Sequence, residues 1–442
     1  MKYYTLQITL ITLFLCVFMQ TKLGCSNGRS EGASSLSIYP TPNSVAYQNR
    51  YGRVKGHVPD ENSPLIIIKI AFHFFQKNDS TGNWNFEKTP DQKKRMVQIM
   101  DWINTTYTNC ALPSDPIPGV STTLNNSKIK FEVSGYYFYQ NSELNISRSR
   151  PLCEAAVKKA DATRLESFPI FVTAAKNAWG SYSSESILTF YADANPVSDF
   201  NFSQHLAHEL GHGLDLGHTY DGSQNGVYDG KGDACCPEPI DPKLPDYLSD
   251  IFDQPWPNWC NNTNGQPCYH QNGGSCDAYD KNKYCTNNLM GGANWNNYIS
   301  PMQMGKMRRA MALNTIRKYA KEESSSTTNW MVNENETWDF DIQMYQDILV
   351  TSGTTLTITG KVAMANQGKI TLENGAHLII NGGAITCWGN LWNGIVLTTK
   401  SSLLLDNASI DNAELPIDAM KRTSLKIKGV SMINKKVQEN KE

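Results

Sequence analysis

The run LIIIKIAFHFF, residues 65–75, alternates apolar and polar positions closely enough to predict a strand buried mainly on one face. Downstream, Thr89-Pro90-Asp91-Gln92 has the form of a capping box with proline at the first helical position. Met96, Met100, Ile103 and Tyr107 then recur at helical spacing and predict an amphipathic helix ending near Cys110. Ile129, Phe131 and Val133 alternate in a second strand, FPIFV at 168–172 makes a third, and ILTFYAD at 187–193 a fourth. The order strand, helix, strand, helix, strand, strand, helix predicts a mixed α/β unit. Past residue 218 regular pattern is scarce until Ser300-Pro301, an N-cap and first-turn pair. Met304, Met307 and Met311 there share one helical face, which reads as core.

Beyond that helix the pattern changes. KEESSSTTN at 321–329 is polar and Ser/Thr-rich, and residues 321–337 read as a linker. SGTTLTITG at 352–360 resembles NGAHLIING at 374–382, displaced by 22 residues, and SSLLLDN at 401–407 resembles TSLKIKG at 423–429 at the same displacement. Leu378 to Leu403 is 25, which places a short insertion around Gly389–Trp392. Short alternating strands at a fixed period of this size predict some four rungs of a parallel β-solenoid over 338–442. A small β-sandwich with accidental similarity is the competing reading.

The chain has 442 residues and a net charge of −2, enough length for two or three domains and no basic excess to suggest nucleic acid. Residues 1–25 stand apart. Lys2 precedes an apolar run from Leu6 to Met19, the layout of a secretory signal peptide. Leu23-Gly24-Cys25 resembles a bacterial lipobox, which would acylate Cys25, but Lys22 departs from that pattern and plain cleavage near residue 25 is preferred. No later segment is apolar for long enough to predict a transmembrane helix. Residues 26–60 read as a leader or linker. Export accords with the cysteines: Cys110, Cys153, Cys235, Cys236, Cys260, Cys268, Cys276 and Cys285 form an even set expected to pair as disulfides, leaving Cys387 as a buried thiol.

The chemistry concentrates in HELGHGLDLGH, residues 208–218. His208 and His212 are i and i+4, so they project from one helix face and can share a cation, for which imidazole nitrogens favour Zn²⁺. Glu209 points about 100° away around the axis, where it can reach a water on the metal. On an unbroken helix His218 would lie roughly 15 Å along the axis from His208 and could not join. Gly213, Asp215 and Gly217 accept left-handed backbone, so the helix is expected to stop after His212 and the chain to double back, bringing His218 in as a third ligand. His205 reads as a solvent-facing helix position, and His73 and His270 as structural. Asp229 and Asp233, in YDGKGDACC, suit either a structural Ca²⁺ or a plain turn.

His208-Glu209-x-x-His212-x-x-Asp215-x-x-His218 resembles the HExxHxxGxxH signature of the metzincin metallopeptidases, with Asp215 where the family usually has Gly. Asn288-Leu289-Met290-Gly291 is similar to the family's Met-turn. It is followed, as in the pappalysin-type family, by a Pro-initiated helix carrying Gln303 and Met307-Arg308-Arg309. Gly292 stands where many members have a transition-state tyrosine. The resemblance implies an α+β zincin-like catalytic domain at 61–320, with a mixed twisted sheet and an active-site helix, joined to the all-β solenoid-like domain. It also implies a secreted or cell-surface zinc endopeptidase acting on protein or peptide substrates, with metal ligands His208, His212 and His218 and the base Glu209. By analogy, the strand at 187–193 would be the edge that pairs with substrate. The alternative is a surface-binding protein whose solenoid is the working part and whose zinc site is structural or inactive.

Overall fold

The computed structural model describes residues 42–113, 123–175, 180–183, 185–190, 198–217, 248–252, 287–290, 297–322 and 326–433. Its first unit is built on a five-stranded sheet in the order β2-β1-β3-β5-β4. The strands are β1 (Ile66–Gln76), β2 (Ile129–Gln140), β3 (Phe168–Val172), β4 (Gly180–Ser183) and β5 (Ser186–Thr189). All neighbours run parallel except β4, which is antiparallel to β5. The substrate-pairing edge expected at 187–193 is therefore displaced: β5 lies inside the sheet and β4 forms the edge. Of that stretch, residues 191–193 lie outside the described set.

β1 alternates only at its start; from Ile70 onward every residue is buried. The reason is cover on both faces, as parallel sheets require. Phe72 and Phe74 pack with helices α1 (Asp91–Thr108) and α4 (Asp199–Gly213). Phe75 faces the other way, toward Cys153 and Val157 of α3 (Arg150–Asp161), which follows the single turn α2 (Ser142–Asn145). The capping box expected at Thr89 does not form: Gln92 turns inward, and its side chain accepts from Asn85 N at 2.5 Å. α1 is bound to α4 at both ends. Arg95 grips Asp199 bidentately at 2.8 and 2.7 Å, and Tyr107 Oη donates to Ala207 O at 2.7 Å.

The C-terminal region is a parallel β-solenoid with three faces, each a five-stranded parallel sheet. Leu356 pairs with Leu378, Leu378 with Leu403 and Leu403 with Leu425, as the displacements of 22, 25 and 22 require. The extra residues fall between the strands Ala384–Cys387 and Gly394–Leu397. There are five strands per face rather than four because the expected linker belongs to the first rung. Ser326–Val332 pairs with Gln346–Val350, and Glu336–Trp338 pairs with Thr355–Ile358. Val332 and Trp338 of these strands are fully buried.

The expected leader is also structured where it is described. Asn43 and Ser44 backbone N–H groups donate to Asp339 Oδ2 at 2.7 and 3.0 Å, and Tyr51 Oη donates to Glu336 Oε2 at 2.8 Å. This segment closes the first end of the solenoid, and Tyr51 joins the solenoid core. The two units share buried surface elsewhere as well. Tyr345 Oη donates to Met311 O at 2.9 Å in α6 (Pro301–Leu313), and Trp388 packs against the first unit's core. Met304, Met307 and Met311 are fully buried, as a core face should be.

Candidate metal centre

Ser198 caps α4 by accepting from Asn201 N at 3.2 Å, and Asp199 in the first turn complements the helix dipole. The last two turns are buried on every side, with Leu206 to Gly213 all below a tenth exposed. Two glycines permit this. A Cβ on Gly211 would meet Met290 Sδ at 2.8 Å, and one on Gly213 would meet the Phe168 ring at 2.9 Å.

The His208 and His212 rings lie 4.6 Å apart between centroids and perpendicular to each other. His208 Nδ1 is 2.7 Å from Leu289 O, and His212 Nδ1 is 2.7 Å from Leu216 O. A carbonyl oxygen can only accept, so each Nδ1 carries the hydrogen and each Nε2 carries the ring's basic lone pair. That is the tautomer a zinc-binding imidazole needs, fixed from outside by a backbone carbonyl. Glu209 is completely buried beside them.

α4 stops at Gly213. Leu216 N donates to Gly211 O at 3.0 Å and Asp215 N to His212 O at 3.0 Å, with Asp215 at φ 73°, which together make a Schellman closure. The Asp where the motif usually has Gly thus occupies the left-handed position, and Arg309 of α6 lies 3.5 Å from its carboxylate. The turn also does a second job, because the Leu216 carbonyl that it folds back is the one that orients His212. His218 itself lies outside the described residues, as do Asp229, Asp233, His270 and Gly292. Among the described residues no three His, Cys, Asp or Glu side chains gather as a metal-holding group, so the pair on α4 is the candidate centre.

The carbonyl that holds His208 belongs to a turn fixed by a knot of polar contacts. Asn288 Oδ1 accepts from Met290 N at 2.9 Å, and Asn288 and Gln303 exchange amide hydrogen bonds at 2.8 and 3.1 Å. Gln303 also closes a capping box with Ser300 at the start of α6. Asp250, in the turn α5 (Ser249–Phe252), accepts from Ser300 Oγ at 2.8 Å and from Met302 N at 2.7 Å; burial pushes its carboxyl up to about 6. Met290 is fully buried beneath the helix.

Sequence reasoning missed Asp250 and misjudged His205. The His205 side chain is only 11% exposed and places Nε2 3.4 Å from Glu209 Oε1, rather than facing solvent. Its i, i+4 spacing to Glu209 was the available signal. The cysteine expectation also changes. Cys110 and Cys153 are buried thiols outside any disulfide, each pushed up to about 12 by burial; Cys387 is a buried thiol, as expected. The six cysteines at 235–285 lie outside the described residues. Among the described residues no helix is long and apolar enough to cross a membrane. No family model matches the chain, and no curated protein matches it.

Proposed function

We propose that this chain is a zinc-dependent endopeptidase of metzincin type, most like the pappalysin-type family, acting on protein or peptide substrates outside the cell or at its surface. The observation that carries the reading is the pair of 2.7 Å hydrogen bonds from His208 Nδ1 and His212 Nδ1 to backbone carbonyls. They hold two imidazoles one helical turn apart in the ligating tautomer, with a buried carboxylate, Glu209, next to the first. The donor set suits Zn²⁺ rather than Ca²⁺ or Mg²⁺. His218, beyond the turn at Asp215, is proposed as the third ligand.

When bound, zinc supplies Lewis-acid polarisation of a carbonyl and acidifies water. The chain's own residues do the rest. Glu209 accepts the proton of the attacking water and returns it to the departing amine, so that one carboxylate acts as base and then acid. Burial of Glu209 keeps competing water away from its oxygens, and His205 lies against it on the same helix face.

The test is casein hydrolysis by the purified chain with and without a zinc chelator, beside Glu209→Ala. Retained zinc with hydrolysis lowered by at least about a hundredfold supports the reading, that being the usual contribution of a general base. Unchanged function without Glu209, measured as surface binding, would identify the adhesin alternative instead.

A further inference from the structure

Helix α6 reaches both of the turns whose carbonyls aim the two imidazoles. Through Gln303 it holds the turn that presents Leu289 O to His208. Further along, Arg309 Nη2 comes within 3.5 Å of the Asp215 carboxylate, in the turn that presents Leu216 O to His212. The same guanidinium serves a second acceptor, for its Nη1 donates to Gly52 O at 2.8 Å. Gly52 belongs to the segment that closes the solenoid, next to Tyr51, whose hydroxyl is seated on Glu336. α6 meets that segment closely: a Cβ on Gly305 would lie 2.6 Å from Val54 O.

Arg309 is buried, and a planar fork with donors on two sides can hold two acceptors at a fixed separation. Asp215 is 41% exposed at its side chain, so the ion pair is partly screened and fixes direction more than it adds stability. Its position at φ 73° would suit glycine better, but glycine offers no carboxylate for Arg309 to hold. We infer that Arg309 is a positioning residue for the metal centre: it tethers the turn that aims His212 and braces it on the segment that closes the solenoid. The consequence for metal rests on the zinc reading above; the tether does not.

Zinc competition against a chromogenic chelator, in the parent, Arg309→Met, Asp215→Gly and the double variant, tests the consequence. Arg309→Met should weaken zinc binding at least about tenfold in the parent. In the Asp215→Gly background it should change binding by no more than about twofold, because glycine holds the left-handed turn without a partner. Equal losses in both backgrounds, as general packing would give, overturn the inference, and so does no loss in the parent. Arg309→Lys keeps the charge without the two-sided fork; it should follow the same pattern at smaller size, and it serves if the Met variant fails to fold. Amide hydrogen exchange in the metal-free chain reads the tether itself. The reporters are Leu216 N, which donates to Gly211 O, and Arg53 N, which shares a peptide group with Gly52 O and donates to Arg50 O. Both should exchange at least about tenfold faster in Arg309→Met, while Met304 N of α6 keeps its rate. An unchanged Leu216, or acceleration shared equally by Met304, overturns the inference. A parent that binds no zinc sinks the peptidase reading instead, and exchange still decides the tether.

Discussion

Asp215 holds a backbone conformation, φ 73°, that costs an ordinary side chain about 1–2 kcal/mol and glycine almost nothing. Its carboxylate lies 3.5 Å from Arg309, which recovers part of that. Asp215→Ala keeps the strain and loses the partner, so it should unfold about 1 kcal/mol more easily than Asp215→Gly, read from thermal melts of both variants. If Ala matches or exceeds Gly, the left-handed cap is not what closes the helix. This stop was legible in the sequence because only a few residue types accept positive φ, and Gly213, Asp215 and Gly217 crowd the place where a helix had to end. His205 was not legible in the same way. Its i, i+4 spacing to Glu209 marks a shared helix face, but the sequence does not say whether that face is buried.

The turn Asn287–Met290 and helix α6 work as one clamp. Asn288 and Gln303 satisfy each other's buried amides, and the clamp presents Leu289 O to His208. Gln303→Leu would strand the Asn288 amide, which costs about 1–3 kcal/mol. On the zinc reading it should also weaken metal binding about 10–100-fold, because the carbonyl that orients His208 loses its support. Competition with a chromogenic chelator measures this, and an unchanged zinc affinity would show that the turn is held by its backbone alone. A link like this, across 15 residues, leaves no periodic trace. The solenoid shows the reverse case. Its displacements of 22 and 25 could be read directly, because stacking repeats the same leucine and isoleucine columns. Its first rung escaped notice because a stretch rich in serine and threonine reads as a linker.

At the scale of the whole molecule, burial places two histidines where they cannot take a proton. His57, beneath the segment that closes the solenoid, and His73, in the middle of the sheet with its ring stacked on Tyr137 and Tyr139, are both lowered to about 3 by desolvation. Above the ordinary histidine value of 6.5 they are neutral folded and unfolded, and pH has no purchase through them. As pH falls below 6.5 the unfolded chain binds protons that the folded one refuses, and stability is lost down to about pH 3. Each histidine contributes a slope approaching about 1.4 kcal/mol per pH unit within that window. Asp250 acts oppositely between about 6 and 3.8, where the folded state binds the proton first, so it offsets one of the two. The net result is a fold that weakens in mild acid. His73→Phe preserves the stacking, sacrifices the 3.1 Å contact with Tyr139 Oη and removes one titrating group. The variant should lose less stability than the parent between pH 7 and pH 4.5, as judged by urea midpoints, even if it begins less stable. Equal losses in the two proteins would mean that acid opens the fold somewhere other than this sheet.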